Sequence, residues 1–257
     1  MASGRSDYLA LMNDFVTGFK YVFSGFKLII QPGIRIYVLI PFLINALLFA
    51  SAIAYGSDIL SDFIDRWSTG WWEWIRWILW PLFVIVSLAV VFFCFSILAN
   101  LIAAPFNGFL AEAIENKLSN TEMSDTGGLK AIPAEIIKAI KSESRKFLYF
   151  LIRAIPLLLL FFVPVVGQTA APFLWLLFGS WMLALEYMDY PMGNHGIAFP
   201  EQRGIMIMKK RRTFGFGLGV MLLTFIPVIN FIAMPVAVAG ASKMWVDKLK
   251  PAQISSS

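Results

Sequence analysis

Apolar and polar positions divide this chain into segments of clearly different kinds. Over residues 8–30, Phe15, Phe19, Val22 and Phe26 recur at helical spacing, with Asp14, Lys20 and Lys27 between them. That pattern predicts an amphipathic helix, too mixed to span a bilayer and suited to lying in its interface. Gln31-Pro32-Gly33 then interrupts the helical pattern. Residues 36–60 carry no charge before Asp58, and residues 77–104 carry none at all. A bilayer core takes about 20 such residues at 1.5 Å of rise each, so these two segments are the predicted spanning helices. Residues 61–76, between them, combine Asp62, Asp65 and Glu73 with Arg66, Arg76 and a group of tryptophans, the composition of an interfacial belt.

Residues 105–146 are polar to amphipathic, and Lys130, Lys138, Lys141, Arg145 and Lys146 make their second half basic. Ile132, Ile136, Ile137 and Ile140 share one helical face, which predicts a helix on the cytoplasmic membrane surface. Two apolar units follow, at 147–188 and 214–246, and they resemble each other. Pro164 and Pro172 have the spacing of Pro227 and Pro235, and Val-Pro-Val-Val-Gly at 163–167 aligns with Ile-Pro-Val-Ile-Asn at 226–230. Such repeats are common in transporters. Each unit reads as two short apolar arms about a break. Residues 214–226 would make a helix of about 20 Å, against roughly 30 Å of hydrocarbon. A kinked spanning helix is one reading, since proline is tolerated in membrane helices. Two close breakers with Asn230 between them favour the other, re-entrant hairpins with tips near Val166-Gly167 and Ile229-Asn230.

Residues 1–257 are therefore expected to form a single all-α integral membrane domain. It would hold two long transmembrane helices, two partly penetrating (re-entrant) helical hairpins and amphipathic interfacial helices. Composition agrees: 59% of residues are hydrophobic, 14% are charged and the mean hydropathy is +0.74, where a soluble domain carries about 25% charged residues. The net charge of +5 comes without any nucleic-acid-reading motif, so no nucleic-acid partner is expected. The basic residues instead flank apolar segments (Arg5, Lys20, Lys27, Arg35, Arg145, Lys146, Arg203, Lys209 to Arg212, Lys243), and only the 61–76 loop is net acidic. This asymmetry predicts a multi-pass protein with its basic segments cytoplasmic. Cys94 and His195 are the only residues of their kinds, which leaves no disulfide, no cysteine or multi-histidine metal site and no expected cofactor. The first residues lack the apolar core and cleavage site of a signal peptide and are not expected to be one.

Three segments could carry chemistry. In GFKLIIQPGIRIY (25–37), a Pro-Gly break lies between Lys27 and Arg35 at the start of a long helix. The N–H groups of Gly33, Ile34 and Arg35 would be free at that helix N-terminus, where the dipole favours an oxyanion. Equally, Lys27 and Arg35 could simply anchor helix ends at the interface. In AAPFNGFLAEAIENK (103–117), Asn107, Glu112 and Glu115 follow a proline stop, and the favoured reading is helix-terminal polar groups facing water. In LALEYMDYPMGNHG (183–196), Glu186 ends an apolar arm and Asp189 follows on the same helical face. Carboxylates near membrane depth are costly when unpaired. An ion pair with the basic 203–212 stretch is favoured, with proton coupling as the alternative.

The motifs G-F-K-x(4)-P-G-I-R (25–35), A-P-F-N-x(2)-L-A-E (104–112) and E-Y-x-D-Y-P (186–191) stand in that order along the chain. Together they resemble the CysZ-type sulfate permeases. The resemblance implies sulfate, or a related oxyanion, as substrate, carried across the bacterial inner membrane to feed cysteine synthesis. It also implies an all-helical fold with two long spanning helices, partly penetrating helix pairs in contact with membrane lipid, and a homo-oligomer. The family's sulfate-binding segment corresponds here to Gly25, Phe26 and Lys27 with Gly33, Ile34 and Arg35. Many relatives carry arginine in this cationic stretch where this chain has Lys27, which keeps the charge but loses bidentate geometry. Asn107, Glu112, Glu186 and Asp189 are the further pore or structural polar candidates. A P-loop of the form GxxxxGK[ST] is absent from the sequence, so any transport would draw on an ion gradient or on downstream consumption rather than P-loop ATP hydrolysis. The competing function is a membrane-embedded scaffold, with the hairpins as wedges and no saturable anion binding; an intramembrane enzyme is the least favoured.

Overall fold

The computed structural model describes residues 2–67, 106–119 and 132–250, together with the single positions 81 and 85. Among these residues the fold is all-helical. The second expected spanning segment, 77–104, and most of the 61–76 loop lie outside the described residues. Two compact units emerge: one comprises residues 1–35 and 107–257, the other residues 36–106. The second unit contains helix α2 (Ile36–Trp67), which runs unbroken through the expected 36–60 span with Pro41 inside it.

In the first unit, helix α1 (Ala2–Ile29) covers the amphipathic segment. Its buried stripe is Gly18, Tyr21, Val22, Gly25, Leu28 and Ile29, rotated from the Phe15/Phe19/Val22/Phe26 face that apolar spacing picks out and sharing only Val22 with it. Glycine explains the rotation. A Cβ on Gly18 would lie 1.9 Å from the Arg212 carbonyl oxygen, and one on Gly25 would lie 2.0 Å from that of Val236. From the other side, a Cβ on Gly215 would meet the Phe15 oxygen at 2.0 Å, and one on Gly240 the Tyr21 oxygen at 2.6 Å. Backbone thus packs on backbone where α1 crosses α7 (Lys210–Thr224) and α8 (Pro227–Met244). Close approach at small residues is how helices associate where lipid removes the hydrophobic drive between them.

The two Pro-broken units are helix pairs. Helix α4 (Ile132–Leu160) turns over residues 161–165 into α5 (Val166–Asn194). Pro164 has no N–H to continue the first helix, Val165 takes φ +68°, and Gly167 leaves room for the Phe161 carbonyl, which a Cβ there would meet at 2.3 Å. In the second pair the break falls at Phe225-Ile226. Ile226 is extended, as a residue before proline prefers, and Pro227 opens α8. The expected tip at Ile229-Asn230 therefore lies inside α8, three to four residues past the real break, because Pro227 starts a helix rather than ending one. Nor are the arms of the first pair short: α4 and α5 have 29 residues each, since helical geometry continues into the polar flanks. Among the described residues, two helices are long and apolar enough to cross a membrane, Val166–Asn194 and Pro227–Leu249, the latter including a π-helical turn at Trp245–Leu249. α7, at 15 residues, extends only about 22 Å. Helix α6 (Phe199–Met208) links the pairs.

Candidate functional site

The segment proposed to hold an anion is a tight turn. Lys27 sits in the last turn of α1, exposed, and Arg35 is exposed at the turn's end. Gly33 has φ +86°, a left-handed conformation that L side chains rarely adopt, and nothing lies within 4 Å of where its Cβ would be. The three N–H groups expected to be free are not all free. Those of Ile34 and Arg35 both donate to the Gln31 carbonyl at 3.1 Å, closing the turn upon itself. Only the Gly33 N–H has no backbone partner. Of the remaining candidates, Ile34 is buried, Phe26 stacks on Phe23 at 6.4 Å, and Gly25 is occupied with its close contact to α8. A third cation arrives from a helix at residues 106–119 (α3), where Lys117 Nζ donates to the Pro32 carbonyl at 3.4 Å. Three lysine or arginine side chains thus belong to this turn, and neither Lys27 nor Arg35 has a carboxylate partner among the described residues.

Two of the second segment's three candidates, Asn107 and Glu115, are buried, contrary to the water-facing expectation. Asn107, 6% exposed, donates through Nδ2 to Met234 Sδ at 3.3 Å and to the Tyr190 hydroxyl at 3.5 Å. Glu115, 1% exposed, is held between His195 Nε2, at 2.8 and 2.9 Å from its two oxygens, and Lys250 Nζ, which donates at 2.8 Å. Burial raises the Glu115 carboxyl, but the bonds to His195 and Lys250 outweigh it and hold the group below its ordinary 4.5. Glu112 is half-exposed. These residues are buried because α3 turns Leu110, Ala111 and Ile114 inward, and Asn107 and Glu115 fall on that stripe.

The third segment is ion-paired, but not with its expected partner. Lys146 of α4, nearly buried, donates to Asp189 Oδ2 at 2.7 Å and lies 3.8 Å from Glu186. Gln202 of α6 donates to the other Asp189 oxygen at 2.6 Å and to the Ile197 carbonyl at 2.9 Å. The 203–212 stretch is engaged elsewhere: Arg212 pairs with Asp14 of α1, and Arg203 lies near the Tyr149 ring. The C-terminal turns of α5 emerge as a hub. Within ten residues, Glu186, Asp189, Tyr190, Asn194 and His195 bond to α3, α4 and α6, Asn194 through the Gly108 carbonyl at 3.0 Å.

Sequence reasoning missed Lys117 at the turn, and the Glu115–His195–Lys250 and Lys146–Asp189–Gln202 groupings. A lone histidine and isolated lysines far apart in sequence gave no spacing to read. The A-P-F-N and E-Y-x-D-Y-P motifs meet where Asn107 bonds the Tyr190 hydroxyl, and they tie helices together, whereas the 25–35 turn carries two cations with no carboxylate partner among the described residues.

Comparison with known proteins bears on all three segments. Residues 21–235 match the family described as "Sulfate transporter CysZ/Etoposide-induced protein 2.4". A protein of Pectobacterium atrosepticum named "Sulfate transporter CysZ" is 43% identical over 237 residues, covering 91% of this chain and 86% of that protein. A match spanning the cationic turn, α3, the α5 hub and both helix pairs, at this identity, leaves one assignment: this chain belongs to the sulfate transporter CysZ/etoposide-induced protein 2.4 family.

Proposed function

We propose that this chain is a sulfate permease rather than an enzyme, carrying sulfate across a bacterial inner membrane to supply cysteine synthesis. The observation that carries the reading is the 25–35 turn, where Lys27 and Arg35 stand exposed, with no carboxylate partner among the described residues, beside an open, left-handed Gly33. Sulfate carries two charges and is costly to dehydrate, so a site for it needs fixed donors as well as positive charge. The Gly33 N–H, the Arg35 guanidinium and the Lys27 ammonium supply both, and Lys117 adds charge nearby. Arginine can grip two oxygens of a tetrahedral anion at once.

The same reading makes both helix pairs re-entrant. Phe161, Phe162, Val163 and Val165 at the first turn, and Phe225, Ile226, Val228 and Phe231 at the second, are exposed. Large apolar residues at the tips of two turns suit a lipid environment and not water. α7 is too short for a crossing of roughly 30 Å. The protein would then be multi-pass with its basic flanks cytoplasmic, and a homo-oligomer would complete the pathway.

The test is calorimetric titration of sulfate into purified wild-type and Arg35→Ala protein. Saturable binding that weakens at least tenfold in the variant supports the reading, and wild-type affinity in a folded Arg35→Ala protein removes this turn as the site. A scaffold would bind no sulfate in either form.

A further inference from the structure

Two arginines outside the 25–35 turn converge on a single aromatic ring. The Arg153 guanidinium of α4 lies 3.7 Å from the centre of the Tyr149 ring, and that of Arg203, from α6, lies 5.4 Å from it. The ring is fixed in place. Trp181 Nε1 of α5 donates to the Tyr149 hydroxyl at 2.9 Å, and Phe199 packs edge-on against the ring at 5.6 Å. Neither guanidinium has an ion pair or hydrogen bond to a protein group among the described residues, and Arg203 Nε is buried without a partner. The negative face of the ring attracts each cation, but two cations on one ring also repel each other, within a Debye length of about 10 Å at 0.1 M salt. Glu201, two residues before Arg203, faces solvent without a salt bridge to either guanidinium, and Glu186 and Asp189 lie against Lys146. Among the described residues, no carboxylate neutralises this pair of charges.

The surroundings say which anion. On α4, Leu148, Ile152, Ile155 and Leu159 form an exposed apolar stripe at helical spacing, immediately beside the Tyr149–Arg153 line. The cations thus sit at the margin of a surface fit for acyl chains, beside half-buried Tyr149, whose hydroxyl the buried Trp181 holds. We propose that Arg153, Tyr149 and Arg203 form a binding site for the phosphate of an anionic phospholipid, whose chains lie along the apolar stripe of α4. A tetrahedral oxyanion is the shared chemistry of a lipid phosphate and free sulfate. The stripe argues for the lipid, because sulfate has no use for it. Bound there, the lipid would link α4 to α6, and the charge repulsion would be relieved.

Native mass spectrometry of protein released from nanodiscs of mixed phosphatidylglycerol and phosphatidylcholine tests this. Wild type should retain phosphatidylglycerol over phosphatidylcholine by tenfold or more, and sulfate in the buffer should not displace it. Arg153→Ala/Arg203→Ala should retain the two lipids equally, with sulfate binding at the 25–35 turn unchanged by calorimetry. Arg153→Lys/Arg203→Lys should keep a reduced preference, which guards against a double alanine variant that fails to fold. The proposal is overturned if wild type shows no preference for the anionic lipid, if sulfate displaces that lipid, or if the alanine variant retains it as wild type does.

Discussion

At the scale of single residues, the 25–35 turn separates charge from geometry. Arg35→Ala should weaken sulfate binding by about 1.5–3 kcal/mol, the range for a hydrogen bond to a charged group, or roughly tenfold to a hundredfold. Lys27→Arg should preserve or improve affinity in the same titration, since it restores a bidentate donor. Gly33→Val changes no charge, yet should weaken binding and lower the melting temperature, because a β-branched residue is strained at φ +86°. A Gly33→Val protein as stable as wild type would contradict that geometry. Glu115 gives a different kind of test. Its carboxyl is held below 4.5, so its contribution to stability is fully present above that value and is lost as pH falls through the lowered one. Glu115→Gln should cost about 3 kcal/mol at neutral pH and flatten the acid limb of a melting-temperature profile. An unchanged acid limb would mean the His195 and Lys250 bonds do not form. The cations at 27 and 35 were legible because both lie in one short segment. Lys117 and the Glu115 grouping were not, because their partners come together only through helix packing across 80 residues or more.

At the scale of elements, glycine decides the packing. Gly18→Ala and Gly25→Ala each force a methyl group onto a backbone carbonyl oxygen, of Arg212 and Val236 respectively. Each should destabilise by about 1–3 kcal/mol, as overpacking does, read as a drop in melting temperature in detergent. Wild-type stability in both would mean α1 does not dock on α7 and α8. Apolar periodicity located α1 but caught only Val22 of its buried stripe, because a pattern search weights large side chains whereas this interface is built largely from missing ones. The Pro-broken pairs were legible as pairs from Pro164 and Pro227, but not in detail: proline marks a break without saying on which side the helix resumes. The re-entrant arrangement is testable by labelling. In a Cys94→Ala background, Val165→Cys and Phe225→Cys should resist an impermeant thiol reagent added from the periplasmic side, while Ser68→Cys should react. Equal reaction at all three sites would mean full crossings.

At the scale of the whole molecule, the chain joins an exposed cationic turn to a scaffold in which the E-Y-x-D-Y-P segment holds three other helices by hydrogen bonds and ion pairs. That division of labour explains why one motif reads as binding and another as structure, although both were prominent in the sequence. For Glu186 and Asp189 the sequence favoured an ion pair but with the 203–212 stretch; the partner is Lys146, 2.7 Å from Asp189, whose place 43 residues earlier hid it. Sulfate flux should therefore survive Glu186→Gln with its pH dependence intact, provided the protein folds. Membrane class and helical architecture were legible from composition and span length alone, since the bilayer imposes both. The most direct test of the central claim is uptake of radiolabelled sulfate into proteoliposomes holding wild-type or Arg35→Ala protein at equal density. Saturable uptake well above empty vesicles, falling at least tenfold in the variant at subsaturating sulfate, is the predicted result; uptake no greater than in empty vesicles, or unchanged by Arg35→Ala, would contradict the account.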